Sequence, residues 1–383
     1  MKNRKIIFIF GTRPETIKLA PLYHYFNKHS PDLESIVAVT GQHKEMLKQA
    51  LDLFEINPKY DFALMKPNQS LSDLTASIFK KVSSLLIEEK PDLVITQGDT
   101  TTTFVATMAS FYEGIPIAHV EAGLRSFNNY SPFPEESNRK MVTILADYHF
   151  APTKSSMKNL LDEGIKNEDV IISGNTVIDA LKIIEKKLSN SSQRQKYIDY
   201  FMESYGINFA IEKKRILITG HRRESFGEGF ENICQAIKKI AIMNPDIEII
   251  FPVHLNPNVQ EPVFKVLEGI DNVFLIDPQD YEPFIFLMIN ANIILTDSGG
   301  VQEEAPSLGK PVLVMRENTE RPEGIEAGTA MLVGTDINKI TNSVQELLDN
   351  ESAYEKMANA VNPYGDGHAS KYIHDYLIQR LIK

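Results

Sequence analysis

KIIFIFGTRPETIKLAPL (residues 5–22) decides the fold. Its first part, IIFIF (6–10), is an unbroken apolar and β-branched run that reads as a strand buried on both faces. The following residues predict a helix over 15–26 that starts near Pro14, because proline suits the first helical turn, where its missing N–H is no loss. Working outward, the same alternation recurs. Strand-like runs stand at SIVAVT (35–40), DLVITQ (92–97), IPIAHVE (115–121), YHFAP (148–152) and DVIISG (169–174), separated by helical stretches such as 71–89. The polar, Ser-rich LSNSSQRQK (188–196) opens a break that lasts to Lys214. The theme then restarts at RILITG (215–220), IEIIFPV (247–253), NVFLID (272–277), ANIILTD (291–297), PVLVM (311–315) and AMLVG (330–334). Strands separated by helices predict an α/β protein of two Rossmann-like, doubly wound parallel-sheet domains facing across a cleft. Such sheets bind ligands at the carboxyl ends of their strands, and the polar motifs sit at those ends.

A chain of 383 residues is long enough for two domains that each bury a core. A formal net charge of −11 argues against a general nucleic-acid or membrane-surface binder, while leaving room for a local basic pocket that holds phosphate. The single Cys234 excludes an intrachain disulfide and a cysteine-based metal site. KIIFIF follows Met1 almost directly, without a signal-peptide pattern, and no apolar stretch approaches the ~20 residues of a membrane span. These features predict a cytoplasmic protein. The fingerprints of dinucleotide, P-loop and zincin chemistry are missing. Asn232 stands where a third glycine would follow Gly227 and Gly229, Pro311 follows Gly309-Lys310 with Glu304 upstream, and no H-E-x-x-H occurs. His24, His29, His43, His149, His368 and His374 lack companions at metal-ligand spacing, so no metal is expected, and the missing glycine fingerprint leaves no cofactor expected.

The most informative segment is TDSGGVQEEAPSLGKPV (296–312). A strand ends at Asp297, and Ser298, Gly299 and Gly300 open a helix expected to run through Ser307. Glycines let the backbone approach a ligand, and free N–H groups at a helix start favour an anion such as a nucleotide diphosphate. Glu304, one turn on, is placed to accept hydrogen bonds from ribose hydroxyls. A tight turn with a helix cap is the plainer alternative. In GTRPETIKLAPL (11–22), Arg13 and Lys18 bring two cations to a helix N-terminus, which the dipole does not favour without an anion nearby. Carboxylates stand at Asp99 in QGDTTTTF, Glu121 in HVEAGLRS and Glu135-Glu136 in SPFPEESNR. Asp99 reads equally as the cap of a helix beginning in 100–103, and Glu135 as a first-turn acid; converging in one cleft, such acids supply general acid/base groups. TGHRRESFG (219–227) sets His221 between a strand end and Arg222-Arg223, and PVHLNP (252–257) places His254 similarly. Gln279 and Phe284 in IDPQDYEPF (276–284) suit uracil, although Phe284 reads as core on pattern alone. Arg321 in RENTERPEG (316–324) meets phosphate or solvent.

Taken together, GTRPETIKLAPL, GDTTTT, HVEAGLRS, PFPEE, GNTVIDAL, TGHRRESFG, PVHLNP, DSGGVQEEAPSLGKPV, ERPEG and NPYGDGHAS (362–370) resemble, in order and over nearly the whole chain, the non-hydrolysing UDP-N-acetylglucosamine 2-epimerases. The resemblance implies a glycosyltransferase-B-like fold, with one domain over 1–173 completed by a C-terminal helix over 364–383, and a UDP-binding domain over 174–363. It implies a homodimer that interconverts UDP-GlcNAc and UDP-ManNAc for surface polysaccharide synthesis. By motif, Arg13, Lys18, Asp99, Glu121 and His221 surround the substrate, and Asp99, Glu121, Glu135 and His221 are the catalytic candidates. Gln279 and Phe284 are expected at uracil, Ser298, Gly299, Gly300 and Arg321 at the diphosphate, and Glu304 at ribose. Gln42, Glu135, Arg222 and His254 match an allosteric UDP-GlcNAc pocket of some members, while Glu45 and Asn68 depart from its pattern. The rival readings are a hydrolysing relative that releases UDP and ManNAc, an epimerase of a modified UDP-sugar, and a UDP-sugar-dependent glycosyltransferase.

Overall fold

The run that opens the chain is the strand β1 (Lys5–Phe10), whose Ile6, Ile7, Phe8 and Ile9 are fully buried, as a strand covered on both faces requires. The structure, a computed structural model, describes residues 4–41, 44–66 and 69–382. The chain divides into two units, Met1–Ala180 with Tyr364–Lys383, and Leu181–Pro363. Among the described residues, the first unit holds β1, β2 (Glu34–Val39), β3 (Tyr60–Asp61), β4 (Leu93–Gln97), β5 (Ile117–Val120), β6 (Tyr148–Ala151) and β7 (Val170–Ile172). They pair in parallel in the order β3-β2-β1-β4-β5-β6-β7. The second unit holds β8 (Arg215–Thr219), β9 (Glu248–Pro252), β10 (Val273–Ile276), β11 (Ile293–Thr296), β12 (Val312–Val314) and β13 (Ala330–Leu332). Their order is β10-β9-β8-β11-β12-β13, again parallel throughout. The two parallel-sheet α/β domains expected from the sequence are therefore present.

Local chemistry explains the element ends that matter. The helix Arg13–His29 starts two residues before the predicted 15, because Thr12 and Glu15 form a reciprocal capping box around its first turn. The helix Leu71–Glu89 is capped by the Ser70 side chain. The helix Thr101–Tyr112 is capped by Thr100, whose hydroxyl accepts the Thr103 N–H at 3.1 Å, so the alternative reading of Asp99 as that cap is corrected. The helix predicted through Ser307 is α-helical only over Gly299–Glu304 and tightens to a 3₁₀ turn over Ala305–Leu308, where Pro306 lacks the N–H that would continue it.

The segment read as a break is corrected in part. Ser191–Tyr205 is a helix, capped by Asn190 and closed by Gly206 at φ 72°. Its polar composition hides a narrow apolar stripe, in which Tyr197 and Phe201, one turn apart, pack on Phe286. In the first unit the last helix, Ala369–Ile382, lies against the helix Arg13–His29. The Asp179 carboxylate accepts the Ala369 and Ser370 N–H groups at 3.1 and 2.8 Å, and the His374 ring bonds Ser30 Oγ at 2.9 Å. Among the described residues no helix is long and apolar enough to cross a membrane.

Candidate active site

Each sheet reverses its winding once, between β1 and β4 in the first unit and between β8 and β11 in the second. Loops leaving such a pair of strands diverge in opposite directions and open a crevice at their carboxyl ends. The sequence motifs fall at these two places. Arg13 and Lys18 follow β1, Asp99 follows β4, His221 follows β8, and Asp297 to Gly300 follow β11.

In the first unit a buried carboxylate sets the geometry. Glu15 is 1% exposed. Its Oε2 accepts the N–H groups of Gly11 (3.0 Å) and Thr12 (2.8 Å), and its Oε1 accepts the hydroxyls of Thr100 (2.7 Å) and Thr103 (3.0 Å). Burial pushes its pKa up against the pull of these donors. The loop after β1 is thereby tied to the loop after β4. One turn along the helix, Lys18 forms an ion pair with Glu121, and Gln97 Nε2 donates to the same Glu121 oxygen at 2.5 Å. Glu121 takes φ 64°, a left-handed conformation that a non-glycine residue holds only under constraint and that costs about 1 kcal/mol.

Asp99 is held from the helix Glu135–Leu145. Arg139 places Nε (2.9 Å) and a terminal nitrogen (2.6 Å) on the single oxygen Oδ2, and Asn138 donates to the Asp99 carbonyl at 2.8 Å. Arg139 also reaches Glu136 at 3.1 Å. Glu136, fully buried, closes the preceding loop by accepting the N–H groups of Ser126 (2.9 Å) and Phe127 (3.1 Å). Glu135 does stand in the first turn of its helix, yet its Oε2 is buried with no hydrogen-bond partner among the described residues. Arg13 has no hydrogen bond or ion pair there either, and lies half-buried at the helix start. Behind these groups the His119 Nε2–H donates to the Gly98 carbonyl at 2.7 Å, and burial depresses the pKa of His119 to about 3.

In the second unit Asp297, 1% exposed, takes the backbone N–H groups of His221 (2.6 Å) and Arg222 (2.7 Å) on Oδ2. The His221 ring stacks on the His254 ring, with centroids 5.5 Å apart and planes at 17°. Guanidinium atoms of both Arg222 and Arg321 lie 3.9 Å from where a Cβ on Gly299 would stand, so two cations flank the start of the helix Gly299–Glu304. The first N–H groups of any helix lack intrahelical acceptors, and positive charge beside them adds to the attraction an anion would feel there. Arg321 is paired with Glu303, and Arg222 lies 3.6 Å from Glu320. Tyr281 donates to Glu304 Oε1 at 2.6 Å, and burial beside that acid raises the tyrosine's pKa well above its ordinary value. Gln279 is held by Tyr205 (3.2 Å) and Tyr200 (3.3 Å), and Phe284 is half-buried on the helix Tyr281–Asn290.

The family profile described as UDP-N-acetylglucosamine 2-epimerase matches residues 26–378. The chain belongs to the UDP-N-acetylglucosamine 2-epimerase family. It is 53% identical to the UDP-N-acetylglucosamine 2-epimerase of Yersinia pestis over 376 residues, which cover 96% of this chain and 97% of the relative. Among solved structures it resembles UDP-GlcNAc 2-epimerase from Neisseria meningitidis bound to UDP-GlcNAc, at 49% identity and a TM-score of 0.88, covering 98% of this chain and all of that one. It also resembles a Staphylococcus aureus protein solved with UDP, at 46% identity and a TM-score of 0.83, covering 99% and 97% of the two chains.

Of the residues that the epimerase resemblance singled out, the structure brings Lys18 into contact with Glu121, sets Arg13 and Asp99 after the two strands of the first unit's reversal point, and puts Glu135 at the start of the helix whose Asn138 and Arg139 hold Asp99. In the second unit it brings His221, Arg222 and His254 together and sets Arg222 beside Gly299 and Arg321. Gln42 and Asn68 lie outside the described residues. Sequence reasoning passed over Glu15, Gln97 and Arg139, and noted Asp297 only as the end of a strand. Arg139 carried one usable signal: it stands one turn after Glu135 on a helical face.

Proposed function

We propose that this member of the epimerase family interconverts UDP-GlcNAc and UDP-ManNAc without net hydrolysis. The observation that supports this reading is Asp99 after β4, held by Asn138 and Arg139 of the helix that begins at Glu135, with Glu121 bound to Lys18 after β1 and Gln97 of β4, in a chain 49% identical to a protein solved with UDP-GlcNAc. The hydrogen at sugar C2 is not next to a carbonyl, so a free carbanion there is inaccessible. Breaking the C1–O bond to UDP together with loss of the C2 proton gives 2-acetamidoglucal and UDP, with the leaving electron pair on the diphosphate oxygen. Returning the proton to the other face of C2, while that oxygen re-adds to C1, completes inversion with atoms and charge balanced. Two of the three acids exchange the proton in this scheme. His221 and Arg321 stabilise the departing diphosphate, which Ser298 to Gly300 also contact. Gln279 and Phe284 take uracil, and Glu304 takes ribose alongside its Tyr281 bond. The first unit thus supplies acid/base chemistry and the second holds UDP.

A homodimer fits the exposed Ile87, Phe111, Tyr112 and Ile144 on three helices of the first unit. The buried, unpaired Cys234 fits a cytoplasmic enzyme. We assign the product to surface polysaccharide synthesis. The test is to incubate the protein with UDP-GlcNAc in deuterated water under proton NMR. Expected is UDP-ManNAc with deuterium at C2 and little free UDP. Free ManNAc with an equal amount of UDP moves the protein to the hydrolysing branch and overturns the proposal.

A further inference from the structure

A buried carboxylate must have its charge compensated, and how Asp297 achieves this is uneven. Its Oδ2 is saturated by the N–H groups of His221 and Arg222. Its Oδ1 is equally shut off from solvent and makes no hydrogen bond among the described residues, where the nearest ionisable nitrogen is His221 Nδ1, 3.4 Å away. Holding the turn at 220–222 needs Oδ2 alone. Oδ1 is aimed at one edge of the imidazole, whose side chain is 43% exposed. A separation of 3.4 Å is long for a hydrogen bond, but bonds of this kind tighten when a ligand closes on the site.

We propose that Asp297 is a positioning residue for His221, fixing its proton on Nδ1 and presenting Nε2 to the diphosphate. The inference rests on the reading of His221 as a group that faces UDP. Three charged or titratable groups surround the ring: Asp297 after β11, Arg222 on the same turn, and His254 after β9. Burial, then His254 and Arg222, hold the His221 pKa below its ordinary value, and Asp297 alone opposes them. An anion at Nε2 therefore finds an imidazolium only because Asp297 compensates the second proton. A neutral residue at 297 removes that compensation.

Asp297→Asn is the discriminating variant, since the amide oxygen keeps both backbone bonds while its NH₂ faces Nδ1 and drives the proton to Nε2. Nitrogen-15 NMR of labelled histidine is expected to show His221 protonated at Nδ1 in the wild type and at Nε2 in the variant. In turnover of UDP-GlcNAc, kcat is expected to fall about 10²-fold with KM changed less than about threefold. The alkaline limb of the kcat profile should move toward acid. Adding Asp297→Asn to His221→Asn should cost nothing further. A wild-type Nδ1 without its proton, an unmoved pH profile, or additive losses in the double variant each overturn the proposal. If the Asn variant does not fold, the wild-type NMR measurement decides alone. If the wild type turns over no UDP-sugar, the functional reading falls, and the proton position still decides the Asp297–His221 pairing.

Discussion

Acidification should destabilise the first unit through a histidine directly behind the candidate acids. His119 is 1% exposed, its Nδ1 has no partner among the described residues, and its Nε2–H holds the carbonyl of Gly98, the residue before Asp99. In the folded protein its pKa is depressed by burial to about 3, against 6.5 for the free side chain. A folded-state value below the unfolded one means that the neutral ring's stability is fully present above 6.5 and is lost as the pH falls toward the folded value. Each pH unit in that window is worth about 1.4 kcal/mol, so moving from 6.5 to about pH 5 removes about 2 kcal/mol. His149, depressed by burial to about 4, removes about as much again. Glu15 and Asp179, raised by burial, act in the opposite sense, so the informative quantity is a difference between variants. His119→Gln, which retains an N–H donor for Gly98, should be less stable than the wild type at about pH 7. By about pH 5 the gap should shrink by about 2 kcal/mol. Urea unfolding curves of both proteins at the two pH values measure this. A gap that does not change with pH would mean that the folded protein protonates His119 freely, and would refute the argument.

Two further perturbations follow from the same geometry. Asp99→Asn should abolish epimerisation while leaving UDP affinity by calorimetry nearly intact, and Arg139→Gln, which strips two donors from Asp99 Oδ2, should lower kcat about 10²-fold with the same unchanged affinity; a large loss of UDP binding in either contradicts the proposed division between units. Gly11→Ala would place its Cβ 2.1 Å from Thr40 Oγ1 and 2.7 Å from Thr102 Oγ1, two hydroxyls that bond each other across the glycine, and should cost about 3 kcal/mol in urea unfolding.

The positions of Arg13, Asp99, Glu121, His221 and Ser298 were legible because an apolar run announces where a strand stops, and the next polar residues must emerge at the sheet's carboxyl edge. Strand order was not legible. β1 and β4 lie side by side only after the chain has left through β2 and β3 and returned. Lys18 and Glu121 are separated by 103 residues and Asp99 and Arg139 by 40, so no local pattern pairs them. The helix Ser191–Tyr205 was hidden by its polar composition, and with it the two tyrosines that hold the Gln279 amide.

Least legible was which acids are free to react, since Glu135 and Glu136 are adjacent and chemically alike. Their donors separate them. Glu136 accepts on both oxygens, from Ser126, Phe127 and Arg139, and Glu15 accepts two donors on each of its own. A carboxylate saturated in this way is committed to holding loops, because both of its oxygens are already occupied by the donors of the segments it ties. The proposed working acids are saturated on one side at most. Among the described residues, Arg139 puts both its Asp99 bonds on Oδ2, Lys18 and Gln97 share Oε2 of Glu121, and Glu135 Oε2 has no partner. Asp297 repeats the pattern, with two backbone donors on Oδ2 and Oδ1 turned toward a histidine. One-sided anchoring fixes where such an acid points and leaves its second oxygen for a proton or a ring nitrogen. On that criterion Glu136→Gln should be costly to folding, whereas Glu135→Gln should leave the urea midpoint nearly unchanged and remove turnover. Equal stability losses in the two variants would show that donor saturation does not separate the holding acid from the reacting one.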